Sequence, residues 1–151
     1  MKIAATLMAG LICLQTCACH SMDRTNHPAP PPGIPASKMK ITIGTQVFTA
    51  TLSDNETAAA FKAMLPLSIR MTELNGNEKY GDLSADLPVN ASNPGTIQSG
   101  DLMMYGSRIL VLFYKTFPTS YSYTKLGRVD DPAGLAAALG SGNVTVRFEL
   151  E

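Results

Sequence analysis

The side chains that can do chemistry fall into two groups that do not overlap in sequence. Thiols and imidazoles are confined to the start of the chain, at Cys13, Cys17, Cys19, His20 and His27. From residue 38 onward there is no cysteine and no histidine. That inventory excludes a disulfide, a thiolate nucleophile, a His-dependent triad and a Cys/His metal site from the larger part of the protein. The second group is aromatic and sulfur-bearing. Met103, Tyr105, Phe113, Tyr121 and Tyr123 fall near predicted strand ends and loops, where ring faces line grooves for peptides or apolar small molecules. These five, with Arg70 as the basic candidate, are the expected ligand-binding residues. The competing reading puts Phe113 and a methionine in the core and leaves the tyrosines as ordinary surface.

Carboxylates offer less. Asp131 precedes Pro132 and reads as a helix cap rather than a cation ligand beside Asp130. Asp101 follows Gly100 and reads as a turn residue. Asp82 and Asp86 are four apart in a segment without helical periodicity, so nothing makes them converge as an acid/base pair. No cofactor and no metal is called for. Lys plus Arg and Asp plus Glu both number 12, with no basic stripe, so nucleic acid is not an expected partner.

The elements that must position those residues follow from periodicity. Met39, Ile41 and Ile43, then Phe48, Ala50 and Leu52, alternate with polar residues on either side of Gly44-Thr45, which predicts a hairpin. Ser53 and Glu56 have the spacing of a capping box. A helix with Phe61, Met64 and Leu65 on one face follows, and Pro66 stops it. Leu67–Leu74 reads as a strand before the Asn75-Gly76-Asn77 turn. Tyr80–Leu87 is short and mixed, with Leu83 pointing inward. The polar stretch from Asn90 to Gly100 reads as an exposed loop. Asp101–Tyr105 is a strand, Ile109–Tyr114 is apolar on both faces and so central, and Thr124–Val129 is a further strand. Asp131 and Pro132 are expected to start a second helix that ends at Gly140. Val144, Val146, Phe148 and Leu150 alternate with polar residues in the last strand. The expected fold is mainly β: a closed or nearly closed antiparallel barrel of about seven to eight strands with two short helices.

Ahead of this domain (38–151), residues 1–18 read as an export signal: Lys2, an uncharged apolar run from Ile3 to Leu14 too short to span a bilayer, then small residues. Thr16-Cys17-Ala18-Cys19 fits a lipoprotein signal with Cys19 as the acylated residue, although Gln15 and the missing upstream leucine depart from that pattern. Plain cleavage to a soluble exported form is the alternative. Residues 19–37 carry the run His27-Pro28-Ala29-Pro30-Pro31-Pro32-Gly33-Ile34-Pro35. Clustered prolines favour an extended spacer, the other reading being a docking motif for a proline-binding partner.

The opening Met39-Lys40-Ile41-Thr42-Ile43 segment, the helix ending near Leu65-Pro66, Gly100-Asp101-Leu102 followed by Ile109–Phe113, and Lys125-Leu126-Gly127-Arg128-Val129 before the last helix together resemble the cyclophilin-like family of small bacterial proteins. The resemblance implies a two-helix barrel related in fold to the prolyl isomerases, and implies a fold more than a function. True cyclophilins use an arginine in a Phe-His-Arg type segment, which this chain lacks. The expected function is therefore an exported binding module for a peptide or small apolar ligand, held at a membrane if Cys19 is lipidated. A prolyl isomerase with an atypical site, resting on Arg70, is the alternative, and a purely structural envelope protein is the third reading.

Overall fold

The computed structural model describes residues 37–151. The export signal, Cys19 and all of the proline-rich tether except its last residue lie outside the described residues.

The first hairpin forms as its alternation predicts. β1 (Lys38–Ile43) and β2 (Gln46–Leu52) pair in register from Lys38↔Thr51 to Ile43↔Gln46, leaving Gly44 and Thr45 as the turn. Gly44 has φ of 58°, which a glycine adopts at no steric cost. The helix α1 (Glu56–Ala63) follows, then β3 (Leu67–Leu74), β4 (Glu78–Asp82), β5 (Thr96–Ile97), β6 (Asp101–Tyr105), β7 (Ile109–Phe113), β8 (Phe117–Pro118), β9 (Thr124–Val129), α2 (Leu135–Leu139) and β10 (Val144–Leu150). Eight strands close into an antiparallel barrel in the order β1-β10-β3-β4-β7-β6-β9-β2, while β5 and β8 form a separate two-stranded sheet. The ends of the domain meet: β1 pairs β10 from Met39↔Leu150 to Ile43↔Val146. Closure leaves no long unpaired edge.

The barrel interior is filled by alternate residues of every strand, among them Met39, Ile41, Met71, Leu102, Met104, Leu110, Leu112, Val146 and Phe148. α1 plugs it with Phe61, whose ring meets Phe148 edge-on at 5.9 Å between centroids. α2 adds Leu135 and Leu139. β7 is buried on both sides. Leu110 and Leu112 face the barrel core, while Val111 and Phe113 face a second apolar cluster on the barrel's outer wall, with Ile97, Met103 and Tyr123.

Three local expectations are corrected. The helix cap is Asn55, not the Ser53–Glu56 box: Asn55 Oδ1 accepts from the Ala58 N–H at 2.8 Å. Ser53 is engaged elsewhere, its N–H donating to the Leu126 carbonyl at 2.8 Å, and Asn55 Nδ2 also donates to the Lys125 carbonyl at 2.8 Å. One side chain thus starts the helix and ties it to β9. Asp131 does not cap α2. Its Oδ1 accepts from the Ala133 N–H at 3.0 Å, and Gly134 then turns left-handed with φ of 81°, which delays the helix to Leu135. Finally, the segment 90–100 is not wholly exposed: Ile97 is fully buried, held by β5 pairing with β8 through Ile97↔Phe117.

A lysine shuts one end of the barrel. Lys79 of β4 has no exposed surface. Its Nζ donates to the carbonyls of Gly140 and Gly142, at 2.8 and 2.7 Å, and pairs with Glu73 of β3. Glu73 also accepts from the Tyr114 hydroxyl, and the Lys79 Nζ lies 5.6 Å from the centre of the Tyr114 ring. All three ammonium donors are used, which is the condition for burying the charge. The arrangement stitches the β3–β4 hairpin to the loop between α2 and β10.

Two substitutions test this account of closure. Gly127 of β9 lies across from Leu52 of β2, and a Cβ there would sit 2.5 Å from the Thr51 carbonyl oxygen. Backbone, unlike a side-chain tip, has to move bodily. Gly127→Ala is expected to lower the unfolding free energy by about 1–3 kcal/mol in urea titration. Lys79→Ala strands Glu73 and two carbonyls and should cost about 3–5 kcal/mol, whereas the Lys79→Met, Glu73→Gln double variant recovers most of that loss. A Lys79→Ala cost under about 1 kcal/mol, the scale of exposed ion pairs, would refute the buried-charge description.

Candidate functional site

The outer wall of the barrel at β4, β6 and β7 carries a groove of about 480 Å³. Alternation determines what points into it. Because Lys79 faces the barrel core opposite Leu112, its neighbours Glu78 and Tyr80 must face outward, opposite Phe113 and Val111. On β6 the same rule sends Leu102 and Met104 inward and Met103 and Tyr105 outward, opposite Val111 and Ile109. The far side is built by β8 and the loop running to Tyr123. That loop is anchored by a reciprocal backbone pair between Ser92 and Tyr123, both bonds 3.0 Å, and by the Thr119 N–H donating to Gly95 at 2.9 Å. Phe117, Pro118, Tyr121 and Tyr123 complete the wall.

The rings form a connected set. Tyr105 and Tyr121 stand edge to face with centroids 6.4 Å apart, Tyr105 and Tyr123 are 5.8 Å apart, and Phe113 lies against both Tyr123 and Phe117. Four of the protein's five tyrosines, Tyr80, Tyr105, Tyr121 and Tyr123, line the groove. Two of them remain widely open to solvent, Tyr105 at 45% and Tyr121 at 62% exposure.

Glu78 is the only charged side chain in the lining, and it is 9% exposed. Burial pushes its carboxyl above the usual range, and repulsion from Glu73 adds to the shift. Tyr123 is pushed up by burial and then by the Glu78 charge, which places that hydroxyl within the carboxylate's field. Beneath them, burial alone would raise Glu73, but hydrogen bonds from Lys79, Tyr114 and the Gly76 N–H outweigh it and hold Glu73 low. Tyr114 is driven up to about 12 by burial and by its bond to Glu73. Asn77, also in the lining, has its side-chain oxygen buried without a hydrogen-bond partner. The groove therefore presents aromatic faces and one largely buried carboxylate, and no cationic side chain. Among the described residues no three His, Cys, Asp or Glu side chains converge as a metal site.

The residues singled out from the sequence divide three ways. Tyr105, Tyr121 and Tyr123 come together in the groove. Met103 and Phe113 lie beneath it, at 3% and 0% exposure, and form its packed floor rather than its surface. Arg70 is elsewhere: it is exposed on β3 and borders a different depression with Met64, Leu67, Asp82 and Leu83. Glu78, Tyr80 and Lys79 escaped sequence reasoning. A signal was present, since Glu73 and Lys79 are equidistant from Gly76 and so face each other across the hairpin.

Comparison with known proteins agrees with this architecture. The sequence model of the cyclophilin-like family matches residues 41–149. Among solved structures, the chain resembles the solution structure of a hypothetical protein from Archaeoglobus fulgidus, with a TM-score of 0.58 and 15% identity over 77% of this chain and 95% of that one. At that identity the likeness speaks for the fold. No curated protein matches the chain.

The two glutamates predict opposite responses to pH. Glu78 has a raised folded-state pKa, so its favourable contribution is present in acid and lost as pH rises through its titration. Glu73 has a lowered one, so its contribution is present above the ordinary carboxylate range and lost as pH falls through its titration. Glu78→Gln is expected to raise the melting temperature at neutral pH, with the gain shrinking towards zero in acid. Glu73→Gln should lower it at neutral pH. Calorimetric scans across pH check both signs, and a neutral-pH loss of stability in Glu78→Gln would contradict the unpaired state of that carboxylate.

Proposed function

The chain belongs to the cyclophilin-like family, and from that premise we propose that it is an exported binding module whose outer-wall groove recognises a peptide or a small, largely apolar ligand. The observation that carries the reading is the gathering of four tyrosines on a packed apolar floor. Its size suits a small molecule or a short side-chain run. Partly exposed tyrosines supply apolar area with a polar tip and lose little rotamer freedom on binding. Export by residues 1–18 and lipid attachment at Cys19 belong to the same proposal. Acyl chains contribute about 0.8 kcal/mol per buried methylene, so a lipidated Cys19 would hold the protein at a membrane surface.

The isomerase alternative is less well supported. Catalysis of X-Pro rotation works against a barrier of about 18–20 kcal/mol and calls for a donor aimed at the prolyl nitrogen. The groove contains no Arg, Lys or His, and Arg70 borders a separate depression. One peptide separates the two readings. Ac-Ala-Ala-Pro-Phe-NH2 added to the full-length chain should shift the ring resonances of Tyr105, Tyr121 and Tyr123 while its cis/trans exchange rate, read by NMR, stays at the uncatalysed value. Acceleration that disappears in Arg70→Ala would replace the binding module with an enzyme. Unmoved tyrosine rings would remove peptides from the ligand class.

A further inference from the structure

We propose that the groove takes a small organic ammonium ion, held by the Glu78 carboxylate and by the faces of Tyr80, Tyr105, Tyr121 and Tyr123. This rests on the groove being a binding site and names the chemistry of its occupant. Three observations lead to it. Glu78 is the single charge in the lining, buried to 9% exposure, with no hydrogen bond in its surroundings to favour the charged form. Its sequence neighbour Lys79 is turned into the barrel on the opposite face of β4 and is fully engaged there. The remaining lining is dominated by rings whose faces carry negative quadrupoles.

Those features discriminate among occupants. An anion would be repelled by Glu78. A neutral apolar ligand would cover the carboxylate, strip what solvation it retains and give nothing back. A hard metal ion needs several oxygen ligands, and no cluster of three acidic or His/Cys side chains converges among the described residues. An ammonium ion with an alkyl surface satisfies both elements at once: charge against Glu78 and methyl or methylene groups against the rings. No Cys, His, Lys or Arg lines the groove beside Glu78, and the role its charge and rings fit is recognition.

Choline and its uncharged isostere 3,3-dimethylbutan-1-ol make the test, because they differ in charge at nearly constant shape and each offers a nine-proton methyl signal. Both are titrated against the full-length chain and followed by the ring-current shift of those methyls. Choline is expected to bind about tenfold more tightly than the alcohol. Glu78→Gln should remove that advantage and leave the alcohol unchanged, while Tyr121→Ala should weaken choline by about threefold or more. Equal binding of the two compounds, or an advantage that survives Glu78→Gln, overturns the cation assignment and leaves the groove as an apolar site. Absence of shift for both overturns the assignment together with the small-molecule half of the proposed function, and the peptide titration then judges the other half. If Glu78→Gln does not fold, the exposed Tyr121→Ala decides: undiminished choline binding overturns the proposal.

Discussion

The buried ammonium of Lys79 is the constraint on which the site depends. A charge with no exposed surface survives only where its donors are all met, and here Glu73, Gly140 and Gly142 meet them. That fixes the phase of β4. In a pleated strand a slip of one residue exchanges the two faces. Lys79 cannot be turned out without abandoning three partners, so Glu78 and Tyr80 cannot be turned in. The outward direction of the groove's carboxylate is thus a consequence of an ion pair on the other side of the wall.

The same hairpin sets two carboxylates under opposite electrostatics. Glu73 receives donors from Lys79, Tyr114 and Gly76, while Glu78 has none to offset its burial and feels Glu73 as a like charge. The acidic character of the groove is sharpened because the neighbouring Lys79 is spent on Glu73 and turned into the barrel.

Sequence reading reached most of the architecture and part of the site, and the division has a physical basis. β1, β2, β7 and β10 were legible because one or both faces are apolar without interruption, and a barrel demands that. β4 was not, since Glu78-Lys79-Tyr80-Gly81-Asp82 contains no aliphatic residue and its inward positions are a lysine and a glycine. Lysine is almost never fully buried, so no composition rule would send Lys79 inward. Tyr105, Tyr121 and Tyr123 were legible as a group from their loop-end positions. Met103 and Phe113 fall in the same group because an apolar pattern on both faces of β7 announces cover on each side without saying that one cover is the floor of a groove. Ile97 was hidden for a related reason: a two-residue strand leaves no periodic trace.

That second layer makes β7 a partition between two dry compartments, one backbone thick. Val111 and Phe113 are packed on one side, Leu110 and Leu112 on the other, and β4 and β6 take up its hydrogen bonds. Amide protons along such a partition are hydrogen-bonded between β4 and β6 and covered by packed side chains on both faces, so they should be among the last to exchange with deuterium. The wall behind the tyrosine groove is then among the slowest parts of the domain to open.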